Sequence, residues 1–182
     1  MIAVLFARKD SRYKEIAGYD VYDIDRDARN FDGDCPVIAH PLCRAWGMLS
    51  HMAKPRHDEK ELAWFALDKV RKNGGVLEHP KGSRFFKEAG CPELGAGYDK
   101  FGGFTMLIDQ FDFGHVAHKD TKLYVCGIKI EDLPELPPKN YADTDRSIAG
   151  NIKGTKRCTQ YQREYTPDNL IKFMTEICEK IK

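Results

Sequence analysis

Long apolar stretches are missing from this sequence, and no run approaches the roughly 20 residues that a membrane helix needs. The opening segment MIAVLFARKD is too short for a signal peptide and is typical of a first strand. The net charge is only +1, so any surface for nucleic acid or a membrane must be local. We therefore expect a cytoplasmic protein without a membrane partner.

Cysteine pairs at zinc-site spacing are absent as well. None of the six cysteines forms a CxxC pair; they occupy positions 35, 43, 91, 126, 158 and 178. This pattern argues against a zinc site and against a secreted disulfide framework, so reduced thiols and no metal are expected. The length of 182 residues favours a single domain, 1–182, with a sizeable core.

Short apolar runs alternate with one clear helical pattern at 58–73. This alternation predicts a Rossmann-like α/β fold with a mainly parallel sheet. The strands are expected near 2–7, 20–24, 36–39, 75–78, 104–110 and 122–128. The last two are predicted to form an antiparallel edge hairpin. Beyond them, 131–165 is predicted to be an irregular tail and 166–182 a C-terminal helix with Thr166 at its N-cap.

Two predicted strands stop at a His-Pro step. The first run is followed by His40-Pro41 and then by Cys43 and Arg44, while the second ends in Glu78-His79-Pro80. Because ligands bind outside the carboxyl ends of strands in open α/β sheets, we expect these side chains to share one cleft.

Cys43 is the candidate nucleophile of that cleft, and the neighbouring Arg44 could favour its thiolate. The alternative is that Cys43 is a small buried hydrophobic residue, which is the usual fate of a free cysteine. Asp23 and Asp25 follow the second strand, where an acid can accept hydrogen bonds from a ribose. A solvated acidic loop is the alternative for this pair.

These landmarks resemble the DNA cytosine carbon-5 methyltransferase family in reduced form. Val4-Leu5-Phe6-Ala7 is similar to the family's opening strand, and His40-Pro41-Leu42-Cys43 to its Pro-Cys loop. Glu78-His79-Pro80 is similar to its Glu-Asn-Val motif, and the segment from Phe113 to Gly127 to a later motif. The chain also resembles phage and prophage proteins that share the HP-C-R-W and GG-V-L-E-H-P landmarks, a likeness that implies no activity.

The family resemblance implies a methyltransferase-type fold, DNA or a nucleotide as partner, and S-adenosylmethionine as cofactor. It implies Cys43 as the nucleophile and Glu78 as the partner of the base edge. The expected substrate-binding residues are His40, Arg44, His79 and Lys119, and the expected cofactor-binding residues are Phe6, Asp23 and Asp25. A methyltransferase-type transferase is one hypothesis. A catalytically inactive relative that binds a nucleotide, nucleic acid or protein is another, and an unrelated Rossmann-like enzyme that uses Cys43 is the third.

The loop after the first strand departs from the family pattern. Arg8 replaces a glycine and is followed by Lys9, so two cations stand where a sulfonium would approach. The sequence therefore predicts weak or absent S-adenosylmethionine binding and favours a phosphate-bearing ligand. The polar segment from Lys139 to Arg163 adds further cations, which indicate either a phosphate-facing surface or a solvated loop.

Overall fold

Six strands form one sheet in the order β2-β1-β3-β4-β6-β5. The structure, a computed structural model, describes residues 1–47, 50–150 and 153–182. The strands are β1 (Ile2–Leu5), β2 (Tyr19–Tyr22), β3 (Val37–Ala39), β4 (Gly75–Pro80), β5 (Phe104–Asp109) and β6 (Asp120–Cys126). The pairs β1–β2, β1–β3 and β3–β4 are parallel, whereas β6 is antiparallel to both β4 and β5. The predicted Rossmann-like α/β fold with an antiparallel edge hairpin is confirmed.

A long helix covers each face of the sheet. The helix α1 (Glu59–Asn73) packs on one face and α4 (Asp168–Glu179) on the other. Strand β1 shows why both faces need cover, because Ala3 and Leu5 join the core under α1 while Val4 joins the core under α4. Such a strand is buried on both sides and consequently lacks a polar face. No helix in the described ranges is long and apolar enough to cross a membrane.

Two glycines carry the chain from α1 into β4. Gly74 follows the helix with φ of 75°, and Gly75 begins the strand with φ of 135°. A Cβ atom at Gly75 would lie 1.9 Å from the carbonyl oxygen of Val37, so only glycine lets β4 approach β3 this closely. This close pairing brings the carboxyl ends of β3 and β4 together.

Strand β4 runs past its expected end. It continues through His79 and Pro80, which lie opposite Lys122 and Thr121 of β6. Pairing with β3 has already ended at Ala39, opposite Leu77, so the last residues of β4 have a strand on one side only. A proline that lacks a backbone donor is tolerated in such a position.

The segment 131–165 contains more regular structure than the sequence predicted. It holds two short paired strands, β7 (Arg146–Ser147) and β8 (Lys156–Arg157), and the helix α3 (Gln160–Glu164). The helix α3 begins at a capping box, in which Thr159 and Gln162 each bond the other's backbone N–H. The prediction of an irregular tail is therefore wrong for these stretches, and residues 151 and 152 lie outside the described residues. A further short helix, α2, spans Phe85–Glu88, and α4 begins at Asp168 with Pro167 at its N-cap.

Candidate functional site

A cleft of about 730 Å³ opens at the carboxyl ends of β1, β3 and β4. The chain leaves β1 for β2 on one side and then returns to β3 on the other, so the strand order reverses here. Open α/β sheets bind ligands at such a switch point. The lining residues include 6–8 and 10–13 after β1, 40–44 after β3, Glu78 and Pro80 of β4, 119–120, 160–161 and 163–166. This volume is typical of small-molecule sites.

The cleft brings together most of the residues that the sequence singled out. Six of the nine line it: Phe6, His40, Cys43, Arg44, Glu78 and Lys119. Phe6 marks the turn into the cleft with φ of 63°, a left-handed conformation that costs a bulky residue about 1–3 kcal/mol. Strain of this kind persists where the surrounding structure fixes the backbone, and here it accompanies the turn from β1 into the cleft wall.

Two side chains hold the carboxylate of Glu78 in place. His40 Nδ1 lies 3.3 Å from Oε2, and Gln110 Nε2 donates to Oε1 over 3.3 Å. The other imidazole nitrogen of His40 lies 3.2 Å from the hydroxyl of Tyr13. Glu78 thus ends a hydrogen-bonded chain that starts in the core under α4, and its side chain is only 14% exposed.

Glu78 is ionised at neutral pH. Burial raises the pKa of its carboxyl group, but the His40 hydrogen bond and the positive charge of Lys119 outweigh this effect, and the pKa falls to about 2. The carboxylate can therefore accept hydrogen bonds from the N–H groups of a ligand. Gln110 was not singled out from the sequence, because nothing in the run before it marks a polar residue that points into a buried network.

Cys43 carries a protonated thiol. Burial and the negative charges of Glu78 and Glu59 raise its pKa to about 11, and Lys119 lowers it only in part. The expectation that Arg44 favours the thiolate is wrong, because the Arg44 guanidinium pairs with Glu59, with 3.2 Å between Nε and Oε2. The positive charge of Arg44 is thus balanced by Glu59 and does not stabilise the thiolate of Cys43.

Glu59 is a site-positioning residue that the sequence did not reveal. It is fully buried at the start of α1, where its Oε1 accepts the backbone N–H of Ala45 over 2.7 Å. Its Oε2 accepts from Arg44 Nε and from the backbone N–H of Arg56. An acid in the first turn of a helix is ordinary, so the sequence offered no signal that this one anchors the Cys43 loop.

Asp23 and Asp25 lie outside the cleft. Asp23 is buried and accepts from Lys14 Nζ and from the backbone N–H groups of Asp25 and Arg26, over 3.0 and 3.1 Å. Asp25 pairs with Lys9 on the surface, over 2.8 Å. The turn after β2 folds back on Asp23 and satisfies its oxygens, so neither acid is presented for the expected cofactor contact.

His79 also points away from the cleft. Side chains alternate along a strand, so His79 lies on the same face as Leu77, the α1 side of the sheet, while Glu78 faces the cleft. It is fully buried, with Nδ1 2.7 Å from Ser83 Oγ and its ring against Phe85. Burial lowers its pKa, so the expected contribution of a charged His79 to substrate binding is not supported by this placement.

The two cations after β1 behave differently from each other. Lys9 is exposed and paired with Asp25 outside the cleft. Arg8 lines the cleft but pairs with Asp10, over 2.9 Å, and with Glu164. The charge that was expected to repel a sulfonium is thus largely neutralised, and weak S-adenosylmethionine binding stays a prediction.

Within the part of the chain that the structure describes, no group of three or more His, Cys, Asp or Glu side chains is placed to hold a metal ion. The six cysteines, all in described positions, are free thiols. Comparison with known proteins gave neither a matching family model nor a matching curated protein.

Proposed function

We propose that the chain is a small, phage-type protein that modifies a nucleobase and resembles the cytosine carbon-5 methyltransferases. One observation carries the proposal: a thiol and an ionised carboxylate, Cys43 and Glu78, line the same cleft at the switch point of the sheet. Glu78 would hold the amino edge of a base that has left its stack. Cys43 would then attack the ring.

The chemistry assigned to these residues is a reversible addition to cytosine. The sulfur of Cys43 bonds to carbon-6 and gives its proton to water. The electrons of the carbon-5 to carbon-6 double bond form a bond from carbon-5 to a proton that water supplies, so the solvent is restored. Reversal removes either hydrogen from carbon-5 and regenerates the thiol. The fixed carboxylate of Glu78 accepts hydrogen bonds from the amino group of the base and so holds the ring against the sulfur. The protein thereby exchanges hydrogen at carbon-5 with solvent.

The resemblance implies S-adenosylmethionine as a methyl donor, but the residues fit it poorly. Phe6 lines the cleft, whereas Asp23 and Asp25, the expected ribose partners, do not. The oxygens of Asp23 are already taken by Lys14 and by the turn that follows β2. We therefore derive no step through this cofactor.

A second candidate function is binding without catalysis. The raised pKa of Cys43 and the engagement of Arg44 by Glu59 favour it, because both leave the thiol protonated. In this case Glu78 would still hold a base, and the chain would act as a nucleotide-binding or nucleic-acid-binding protein of the methyltransferase type.

Release of tritium from carbon-5 of labelled cytosine separates the two candidates. A short single-stranded oligonucleotide and deoxycytidine 5′-monophosphate serve as substrates, without any methyl donor. We expect exchange by the wild type, its loss in Cys43→Ser, and a fall of about 10²-fold in Glu78→Gln, because the base is then held less precisely. Cys35→Ser is the matched control, because Cys35 is also half-buried but lies outside the cleft.

Binding measurements complete this test. Saturable binding that depends on Glu78, together with no exchange, would favour the binding protein. No binding of either substrate would reject both candidates.

A further inference from the structure

Three arginines that line the cleft have carboxylate partners. Arg8 pairs with Asp10 and Glu164, Arg12 with Glu15 and Asp168, and Arg44 with Glu59. These arginines carry little unbalanced charge into the cleft, since each is matched by at least one acid.

Lys119 and Arg163 line the same cleft without such partners. Within the described ranges neither side chain forms an ion pair, and the buried Nε of Arg163 has no hydrogen-bond acceptor. A buried donor without an acceptor is destabilising, and an anion in the cleft would satisfy it. The cleft therefore contains two cations that have no ion-pair partner among the described residues, although the charge of Lys119 also lowers the pKa of Glu78.

The carboxylates of the cleft are already engaged elsewhere. Glu78 accepts from His40 and Gln110, and Asp120 pairs with Lys81 over 2.8 Å. Asp10 and Glu164 form ion pairs with Arg8. If these acids moved towards Lys119 or Arg163, their existing hydrogen bonds and ion pairs would break. An anionic ligand can bind the two cations without this loss.

Both cations sit on elements with a fixed backbone. Arg163 belongs to α3, whose capping box fixes the start of that helix. The backbone N–H of Lys119 donates to Asp109 Oδ1 over 2.8 Å, directly before β6. An anion bound between such elements would cost little ordering of the protein.

We propose that Arg163 and Lys119 form a phosphate subsite of the cleft. The ligand is a nucleotide whose phosphate is held by these two cations while its base edge contacts Glu78. The base contact rests on the proposed function, whereas the phosphate contact rests on the two cations without ion pairs and on the unsatisfied Nε of Arg163. The phosphate can belong to a free nucleotide, as a monoester, or to a nucleic-acid backbone, as a diester.

Calorimetry with matched ligands tests this subsite. The ligands are deoxycytidine, deoxycytidine 5′-monophosphate, the dinucleotide d(CpC) and 2-deoxyribose 5-phosphate. Charge-assisted bonds to phosphate are strong, so we expect the monophosphate to bind at least about tenfold more tightly than deoxycytidine. Arg163→Gln and Lys119→Gln should each reduce this ratio. Arg163→Gln should leave the affinity for deoxycytidine unchanged, and Arg163→Lys should restore part of the ratio.

Arg157→Gln is the control, because Arg157 is exposed, precedes α3 in the same basic segment and does not line the cleft. It should keep the wild-type ratio. Equal affinity of the wild type for deoxycytidine and its monophosphate would overturn the phosphate subsite, and so would an unchanged ratio in both Gln variants.

The remaining outcomes separate the subsite from the proposed function. Binding of 2-deoxyribose 5-phosphate that depends on Arg163, without any binding of deoxycytidine, would support the subsite and reject base recognition. An Arg163-dependent preference for d(CpC) over the monophosphate would assign the subsite to a nucleic-acid backbone, and the reverse preference to a free nucleotide.

Discussion

Cys43 and Glu78 line one cleft in opposite protonation states at neutral pH. Glu78 keeps its charge because His40 and Gln110 contact its oxygens and Lys119 lies near it. Burial and the negative charges of Glu78 and Glu59 disfavour the thiolate of Cys43, so its pKa rises to about 11. The same carboxylate that would hold a base edge therefore also suppresses the thiolate, and a ligand that neutralises Glu78 would ease ionisation of Cys43.

Alkylation of the thiols measures this effect at the residue scale. With a pKa near 11, the thiolate fraction of Cys43 at pH 7 is on the order of 10⁻⁴, so alkylation by iodoacetamide should be slow and should accelerate up to about pH 11. In a Cys35→Ser background, Glu78→Gln should lower the pKa of Cys43 and speed its labelling at pH 8. Rapid labelling of Cys43 in the wild type at pH 7 would contradict the raised pKa. Peptide mass spectrometry identifies the labelled residue.

The loop that carries Cys43 is fixed by hydrogen bonds to the start of α1 as well as by its connection to β3. It leaves β3 at His40, and Glu59 at the start of α1 then accepts from Ala45 and Arg44. Helix packing and loop position are consequently coupled through a single buried carboxylate. The geometry of the cleft depends on this anchor, although Glu59 does not line the cleft itself.

Replacing Glu59 tests the anchor. Because the carboxylate accepts charge-assisted and buried bonds, Glu59→Gln should lower the free energy of unfolding by about 2–3 kcal/mol. Glu61→Gln is the matched control: Glu61 is an exposed acid in the same first turn, so the loss should stay below about 0.5 kcal/mol. Urea unfolding gives both values. Equal losses in the two variants would show that the helix terminus, and not the loop contact, sets the effect.

The whole molecule should lose stability in acid partly through Glu78. Its pKa is lowered in the folded chain, from an ordinary 4.5 to about 2, so folding favours the ionised form. The stabilisation is present above about pH 4.5 and is lost as the pH falls towards 2, and it amounts to about 3 kcal/mol.

Unfolding at a series of pH values checks this contribution. The stability difference between the wild type and Glu78→Gln should be largest at pH 5–7 and should shrink as the pH falls below 4.5. Other acids also titrate there, but they contribute to both proteins and cancel in the difference. A difference that is independent of pH would show that Glu78 titrates normally in the folded chain.

Local patterns in the sequence determined the sheet and most of its strand positions. Apolar runs such as Val37–Ala39 have few alternatives to a buried strand, and the helical spacing of Leu62, Ala66 and Val70 predicts a helix with one apolar face. The sequence also indicated that Cys43 and Glu78 follow neighbouring strands and hence share an edge. The capping box at Thr159 was not singled out from the sequence, because the surrounding polar residues favoured a loop.

Tertiary structure decided how the side chains at that edge are used. The sequence placed Glu78 and His79 together, but side chains alternate along the strand, so Glu78 lines the cleft and His79 packs against Phe85 on the other face of the sheet. The sequence predicted that Arg44 acts on Cys43 because the two residues are adjacent, whereas in the folded chain Arg44 forms an ion pair with Glu59. Charged groups pair according to their distance in the folded chain. Glu59 contacts the Cys43 loop, Gln110 contacts Glu78, and Arg163 lines the cleft, although all three lie outside the two His-Pro segments. A local pattern can therefore place a strand, but only the packed molecule determines which charges are neutralised and which stay unmatched.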